Sequence, residues 1–331
     1  VGYAISEESF MSGIDWLENL KLRASYGKMG NDDVPNYQYL AQYDYYNAYA
    51  FGVSPTIDKG FSLATTPNPD ITWETSTQQN IGFDITVLEG LFTFTFDYFY
   101  EKRRQILLSR AAEVPNYTAL ELPDENFGKV DNSGVELQLT HDNSTGELNY
   151  NVTGNFHFNR SKIVEMAEPE STPEWRQREG HPIDSWVVYK SDGVYENEQE
   201  IENSVSLDGS IPGDINYQDV DGDGEITGND MVRKYTSPIP EIQFGLDAGL
   251  NYKGWDFNIF FQGQTNAQTA FFFGESNPVA AFYKDRWTPE NRNSRFPRPF
   301  LRDDFHNQRD AEIWMQDATF LRLKNATIGY T

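Results

Sequence analysis

Cysteine does not occur in this 331-residue chain. That excludes disulfides, thiol nucleophiles and Cys-based zinc sites. Positive charge is scarce: 26 Lys and Arg stand against 51 Asp and Glu, a net charge of −25. No nucleic-acid partner is expected, because contact with phosphates needs a basic surface. Long apolar runs are missing as well. None approaches the roughly 18 residues of a membrane helix, but a membrane β-barrel stays open, since its strands carry a weak hydropathy signal. The histidines, His141, His157, His181 and His306, are scattered without ligand spacing. No Gly-rich phosphate loop or nucleophile elbow is present. The chain begins at Val1, not Met, and ends at Thr331 inside a strand pattern; the expectation is an internal piece of a longer protein.

Aromatic residues are what the chain has in excess. They make up 15% of it, with 19 Tyr and 23 Phe. Such an excess suits interfacial girdles, sugar-stacking surfaces or a β-core. The clearest pattern runs from Gln79 to Tyr100. Ile81, Phe83, Ile85 and Val87 alternate with Asn80, Gly82, Asp84 and Thr86. After Leu88-Glu89-Gly90-Leu91, the residues Phe92, Phe94, Phe96, Tyr98 and Tyr100 alternate with Thr93, Thr95, Asp97 and Phe99. Period two around a Gly-bearing turn predicts a hairpin with one greasy and one mostly polar face. A soluble sandwich would bury the greasy face in its core. A transmembrane barrel turns that face to lipid and lines a wet lumen with the polar one.

Similar alternation predicts strands at Val1–Ile5, Leu20–Tyr26, Val135–Thr140, Leu148–Phe158, Ile242–Leu250, Trp255–Phe261 and Phe320–Tyr330. His157 falls on a polar strand face and reads as a lumen residue. Short turns are expected at Leu88–Leu91, Asp142–Glu147 and Asn251–Gly254. Long connections are expected at Gly27–Thr75, Glu101–Lys129, Lys162–Pro240 and Gln264–Asp317. Connections beyond about 15 residues are uncommon in compact domains. Short turns at one end and long loops at the other are the pattern of an outer-membrane barrel. The fold class is therefore all-β: an antiparallel transmembrane β-barrel fragment of roughly eight strands. The first long connection carries an aromatic cluster, Tyr37, Tyr39, Tyr43, Tyr45, Tyr46, Tyr49 and Phe51, suited to sugar stacking, a girdle or loop packing. A secreted β-rich glycan-binding module and a two-carboxylate β-sandwich glycosidase remain as alternatives.

The sharpest local motif, Asp219 to Asp230, lies in the connection Lys162–Pro240. Counted as a calcium loop, Asp219, Asp221, Asp223 and Asp230 occupy positions 1, 3, 5 and 12, and Gly224 occupies position 6. Glu225 would give its carbonyl and Ile226 would point inward. Hard oxygen donors at this spacing wrap Ca²⁺. Asp in place of Glu at the last position shortens the reach.

Several segments resemble the SusC/RagA-type TonB-dependent outer-membrane transporters. They are Leu20-Lys21-Leu22-Arg23-Ala24-Ser25-Tyr26-Gly27 with Gly30-Asn31, Asn68-Pro69-Asp70-Ile71-Thr72-Trp73-Glu74, and Asn132-Ser133-Gly134-Val135-Glu136. Pro212-Gly213-Asp214, Trp287-Thr288-Pro289-Glu290-Asn291 and Phe320 to Tyr330 follow in family order. The resemblance implies part of the C-terminal half of a barrel of about 22 strands, without its plug domain and terminal strands. It also implies a location in outer-membrane lipid, energy from a TonB complex, a SusD-like lipoprotein partner, and a large glycan or peptide as cargo. It implies no enzymatic activity.

Overall fold

The computed structural model describes residues 1–34, 36–51, 56–110, 122–270, 284–299 and 305–331. They divide into two compact units: Val1–Ser171 with Phe244–Gln262 and Leu323–Thr331, and Thr172–Gln243 with Gly263–Arg322.

One antiparallel sheet of nine strands dominates the chain. The strands are β1 (Gly2–Ala4), β2 (Leu17–Asn31), β3 (Glu74–Val87), β4 (Phe92–Ser109), β5 (Asp124–Thr145), β6 (Leu148–Glu165), β7 (Ile242–Tyr252), β8 (Trp255–Thr265) and β9 (Phe320–Tyr330). Each pairs with its neighbour in sequence, and β1 and β9 are the edges. The barrel is not closed. The turns at one end are short. Leu88, Glu89 and Gly90 all adopt positive φ between β3 and β4, and Lys253 and Gly254 do so between β7 and β8. The β5–β6 turn is tighter than its sequence suggests: Thr145 pairs with Leu148, leaving Gly146 and Glu147 at the tip.

Register turns the alternation into two chemically distinct walls. Leu22, Phe83, Phe96, Leu137 and Phe156 lie directly opposite one another across β2 to β6. So do Leu20, Ile85, Phe94, Leu139 and Gly154, and likewise Ala24, Ile81, Tyr98, Val135 and Phe158. Direct partners share a face, and successive pairs alternate faces. The other wall carries Arg23, Gly82, Asp97, Glu136 and His157 in one row and Lys21, Asp84, Thr95, Gln138 and Asn155 in the next.

Burial is inverted relative to a soluble sandwich. Ile81 is 63% and Leu139 49% exposed on the apolar wall, whereas Asp97 on the polar wall is only 9% exposed. Every buried hydrophobic side chain among the described residues belongs to the second unit. Aromatic rings border the apolar wall. Trp16, Tyr252, Trp255 and Tyr330 are exposed toward the short turns, and Tyr26, Tyr98 and Trp73 toward the long connections, as in the two girdles of a membrane barrel.

The strands continue beyond their alternating segments. The stretch expected to be a connection from Glu101 to Lys129 is largely strand, because β4 runs to Ser109 and β5 starts at Asp124. Glu101, Lys102, Arg103 and Arg104 are polar on both faces, so alternation ceases there while backbone pairing does not. Of the remaining residues, 111–121 lie outside those described, as do 271–283 and 300–304 in the last long connection. The first long connection contains a hairpin, Gln42–Phe51 with Thr56–Thr65. Tyr43 and Tyr45 are exposed on it, and the Tyr45 and Phe61 rings lie 4.8 Å apart; the side chains of Tyr46, Tyr49 and Phe51 lie outside the described residues.

Phe94→Arg should destabilise the bilayer-inserted receptor by about 2–4 kcal/mol, the midplane cost on a lipid face. Thr95→Arg, one residue away on the polar wall, should cost far less. Reversible unfolding from vesicles measures both, and equal costs would refute the assignment of faces.

Candidate functional site: the polar wall and the acidic loop

The polar wall is held by ion pairs that span strands. The Arg23 guanidinium donates to Asp84 through Nε at 2.9 Å and Nη2 at 3.1 Å, and Nη2 also reaches Asp97 at 2.8 Å. Gly82 sits between Arg23 and Asp97 in the row. A Cβ there would lie 2.4 Å from Asp97 Oδ1, so a side chain would displace the carboxylate. Farther along, His157 Nδ1 is 3.2 Å from Glu136 Oε1, and its ring stacks with Phe99 at 6.1 Å. This surface is polar and charged, suited to lining a passage rather than to covalent chemistry.

The second unit has its own core. Tyr189, Ile215, Tyr217, Ile226, Phe296, Ala311 and Trp314 pack together there. Beneath it, Asp214 is 1% exposed and forms an ion pair with Arg298 Nε at 2.6 Å. Asn307 Nδ2 donates to Asp214 Oδ1 at 2.8 Å, and Asn307 Oδ1 accepts from Ile215 N at 3.0 Å. Gly213 has φ +91°, and a Cβ there would stand 2.7 Å from the Trp287 ring. Only glycine suits both conditions.

The acidic loop closes on this core through Ile226, which is buried as its spacing predicts. Asp219, Asp221 and Asp223 bring one carboxylate oxygen each within 4.8 Å of one another. Asp219 accepts from Gly222 N at 2.7 Å and Gly224 N at 2.9 Å; Gly222 and Gly224 both have positive φ. Asp223 Oδ1 accepts from Glu225 N at 2.8 Å. Burial, together with the neighbouring Asp223, Asp230 and Asp219 charges, holds the Asp221 carboxyl above its ordinary range, opposed by a backbone hydrogen bond. Asp230 plays a different part from the other three. It is fully buried, and its carboxylate accepts from Val220 N at 2.7 Å and Thr227 N at 2.6 Å. Within Thr227–Asp230 it completes a capping box.

The histidines have ordinary partners. His141 contacts Leu91 O at 3.1 Å and the Tyr150 hydroxyl at 3.2 Å, His181 packs on Tyr235, and His306 meets Asp208 O at 2.9 Å.

The sequence model of the family described as "TonB dependent receptor-like, beta-barrel" matches residues 7–330. The chain belongs to this family. Its members are outer-membrane transporters of Gram-negative bacteria, not enzymes, which removes the glycosidase alternative. TonB-dependent receptor P3 of Formosa agariphila is 29% identical over all of this chain and 34% of its own length. TonB-dependent receptor SusC of Bacteroides thetaiotaomicron is 27% identical over all of this chain and 33% of its own. The chain thus spans about a third of these relatives. A solved structure of the RagAB peptide importer in an open-open state has the same fold, with a TM-score of 0.72 at 20% identity, over 99% of this chain and 35% of that one.

The segments that resemble SusC/RagA-type receptors serve the receptor fold. Asn68 donates to Asp124 O at 2.7 Å and accepts from Asp70 N at 3.0 Å, tying the connection before β3 to the start of β5. Gly134 lies beneath Phe99, and a Cβ there would be 2.5 Å from that ring. Neither the Arg23–Asp84–Asp97 cluster nor the Asp214–Arg298–Asn307 node was found as a site from sequence, because both depend on contacts distant along the chain. Gly82 inside an apolar alternation and the Pro212-Gly213-Asp214 triplet are their traces.

Asp214→Ala would remove the buried carboxylate that pairs with Arg298 and accepts from Asn307. The second unit should lose about 3 kcal/mol, near the lower end for a broken buried pair because Arg298 is partly exposed. Hydrogen exchange across residues 211–217 and 305–311 should accelerate while exchange in β3 and β4 stays unchanged.

Proposed function

We propose that this chain forms part of the wall and outer surface of a TonB-dependent importer for a large nutrient, a glycan or a peptide. It works with a SusD-like surface lipoprotein and draws energy from a TonB complex. The observation that carries the reading is the inverted sheet: an exposed apolar wall backed by a polar wall with cross-strand ion pairs. That is the cross-section of a conduit through hydrocarbon. The named relatives SusC and RagAB favour import over the rival of a secreted glycan-binding module. Deleting the receptor should abolish growth on one class of glycan or peptide and spare free monosaccharides and amino acids. Unchanged growth across a panel of both polymers would overturn the reading.

The acidic loop completes the proposal. Asp219, Asp221 and Asp223 offer three hard oxygen donors to one Ca²⁺, a fit supported by their proximity and by the mutual repulsion a cation would relieve. The Glu225 carbonyl would add a fourth donor, and Asp230 shapes the loop from below. The ion would order the surface rather than take part in chemistry. Calorimetry on the detergent-solubilised receptor should show calcium-dependent heat that disappears in Asp221→Ala. Cation and proton compete for a carboxyl whose proton is already held more tightly than usual, so affinity should fall as pH drops into the carboxylate range. Absence of heat at millimolar calcium would leave an acidic turn alone.

A further inference from the structure

The apolar wall ends, on the side of the long connections, in a band of positive charge. Above the row Ala24, Ile81, Tyr98, Val135 and Phe158 comes Tyr26, Gln79, Tyr100, Ser133 and Arg160. Above that comes Lys28, Thr77, Lys102, Asp131 and Lys162, all by direct pairing and so all on the same wall. Arg104, two residues beyond Lys102 on β4, continues it. Lys28, Arg160 and Lys162 are exposed. Asp131, the only acid in the two rows, is taken up locally by Arg104 Nη2 at 2.6 Å and the Tyr100 hydroxyl at 2.6 Å. Aromatic rings support the cations from the hydrocarbon side: Lys102 Nζ lies 5.2 Å from the Tyr100 centroid and the Arg160 guanidinium 5.6 Å from that of Phe158.

The height of this band is what gives it meaning. Rows on one face are about 6.6 Å apart along a strand. The lysine row stands five rows above that of Val87, Phe92 and His141, or about 33 Å along the strands and roughly 25 Å along the normal at a barrel's usual tilt. That is the height of a hydrocarbon band, so the cations lie where headgroups begin. Concentrating cations there, in a chain of net charge −25, runs against its overall composition.

We infer that the row Lys28–Lys102–Lys162, with Arg160 below it, is a binding surface for the phosphate groups of an anionic lipid in the leaflet on the side of the long connections. The acyl chains would lie on Phe83, Phe96 and Phe158, with the phosphates between the ammonium groups of neighbouring strands. The lipid would fix the vertical position of the barrel and hold this leaflet around the loops. The inference rests on the lipid-facing reading of the apolar wall, and the test keeps the two apart.

The natural-length receptor is reconstituted in nanodiscs of phosphatidylcholine alone or with a tenth of a phosphate-bearing anionic lipid, and co-purifying lipid is counted by native mass spectrometry. The receptor should enrich the anionic lipid, and the triple variant Lys28→Gln, Lys102→Gln, Lys162→Gln should reduce enrichment about tenfold or more. The corresponding triple Lys→Arg variant should restore it. In parallel, a fluorophore on Phe96→Cys should be quenched by brominated acyl chains in every variant. This also reports that the barrel remains inserted. Quenching with unchanged enrichment would overturn the inference and leave lysines that only reach for water. Absence of quenching in the unsubstituted background would instead overturn the lipid-facing reading itself.

Discussion

Hydrocarbon on one side of the sheet and water on the other is the condition on which the rest of the molecule depends. In lipid, a backbone polar group has no solvent partner, so each strand must find its hydrogen bonds in its neighbours. The five strands β2 to β6 do this with few irregularities from Leu20 to Lys162. Side chains then sort by face. Large apolar groups need no core to cover them, which is why Ile81 and Leu139 stay exposed. Charged groups gather on the opposite wall, where Arg23 bridges two carboxylates from different strands. Glycine enters where these contacts leave no room, at Gly82 beside Asp97 and at Gly134 beneath Phe99.

The second unit obeys the opposite rule. It folds as a water-soluble body would, with Tyr189, Ile215, Tyr217, Phe296 and Trp314 buried. Stretches far apart in sequence meet at Asp214, where Asn307 and Arg298 converge. The acidic loop is fastened to this body from inside by Ile226 and Asp230 and leaves Asp219, Asp221 and Asp223 toward the surface. One chain thus carries two solvent codes, and its sequence switches between them at the ends of the strands.

What could be read from sequence follows the same division. Within the hydrocarbon band the two faces differ sharply, so Ile81 to Val87 and Phe92 to Tyr100 announced their strands and their hairpin. Outside the band both faces are wet, and the continuation of β4 through Glu101–Arg104 left no alternation to detect. In the acidic loop, the calcium-loop count correctly placed Ile226, at its eighth position, inward. It did not foresee that Asp230 would spend its carboxylate on Val220 N and Thr227 N. The Arg23 and Asp214 clusters were illegible for a simpler reason: their partners are brought together by register and tertiary packing, with Asp97 74 positions after Arg23 and Asn307 93 positions after Asp214.

The central claim is that Phe92, Phe94, Phe96 and Tyr98 face lipid while Thr93, Thr95 and Asp97 face water. Nitroxide labels placed singly at positions 92–98 of the bilayer-embedded receptor test it most directly. Collision rates with oxygen, which partitions into lipid, and with a water-soluble nickel chelate should alternate out of phase with period two. Even positions should favour oxygen and odd positions the chelate. The reverse phase, or low accessibility to both reagents at the even positions, would mean that the aromatic face is packed inside a protein core and would contradict the account.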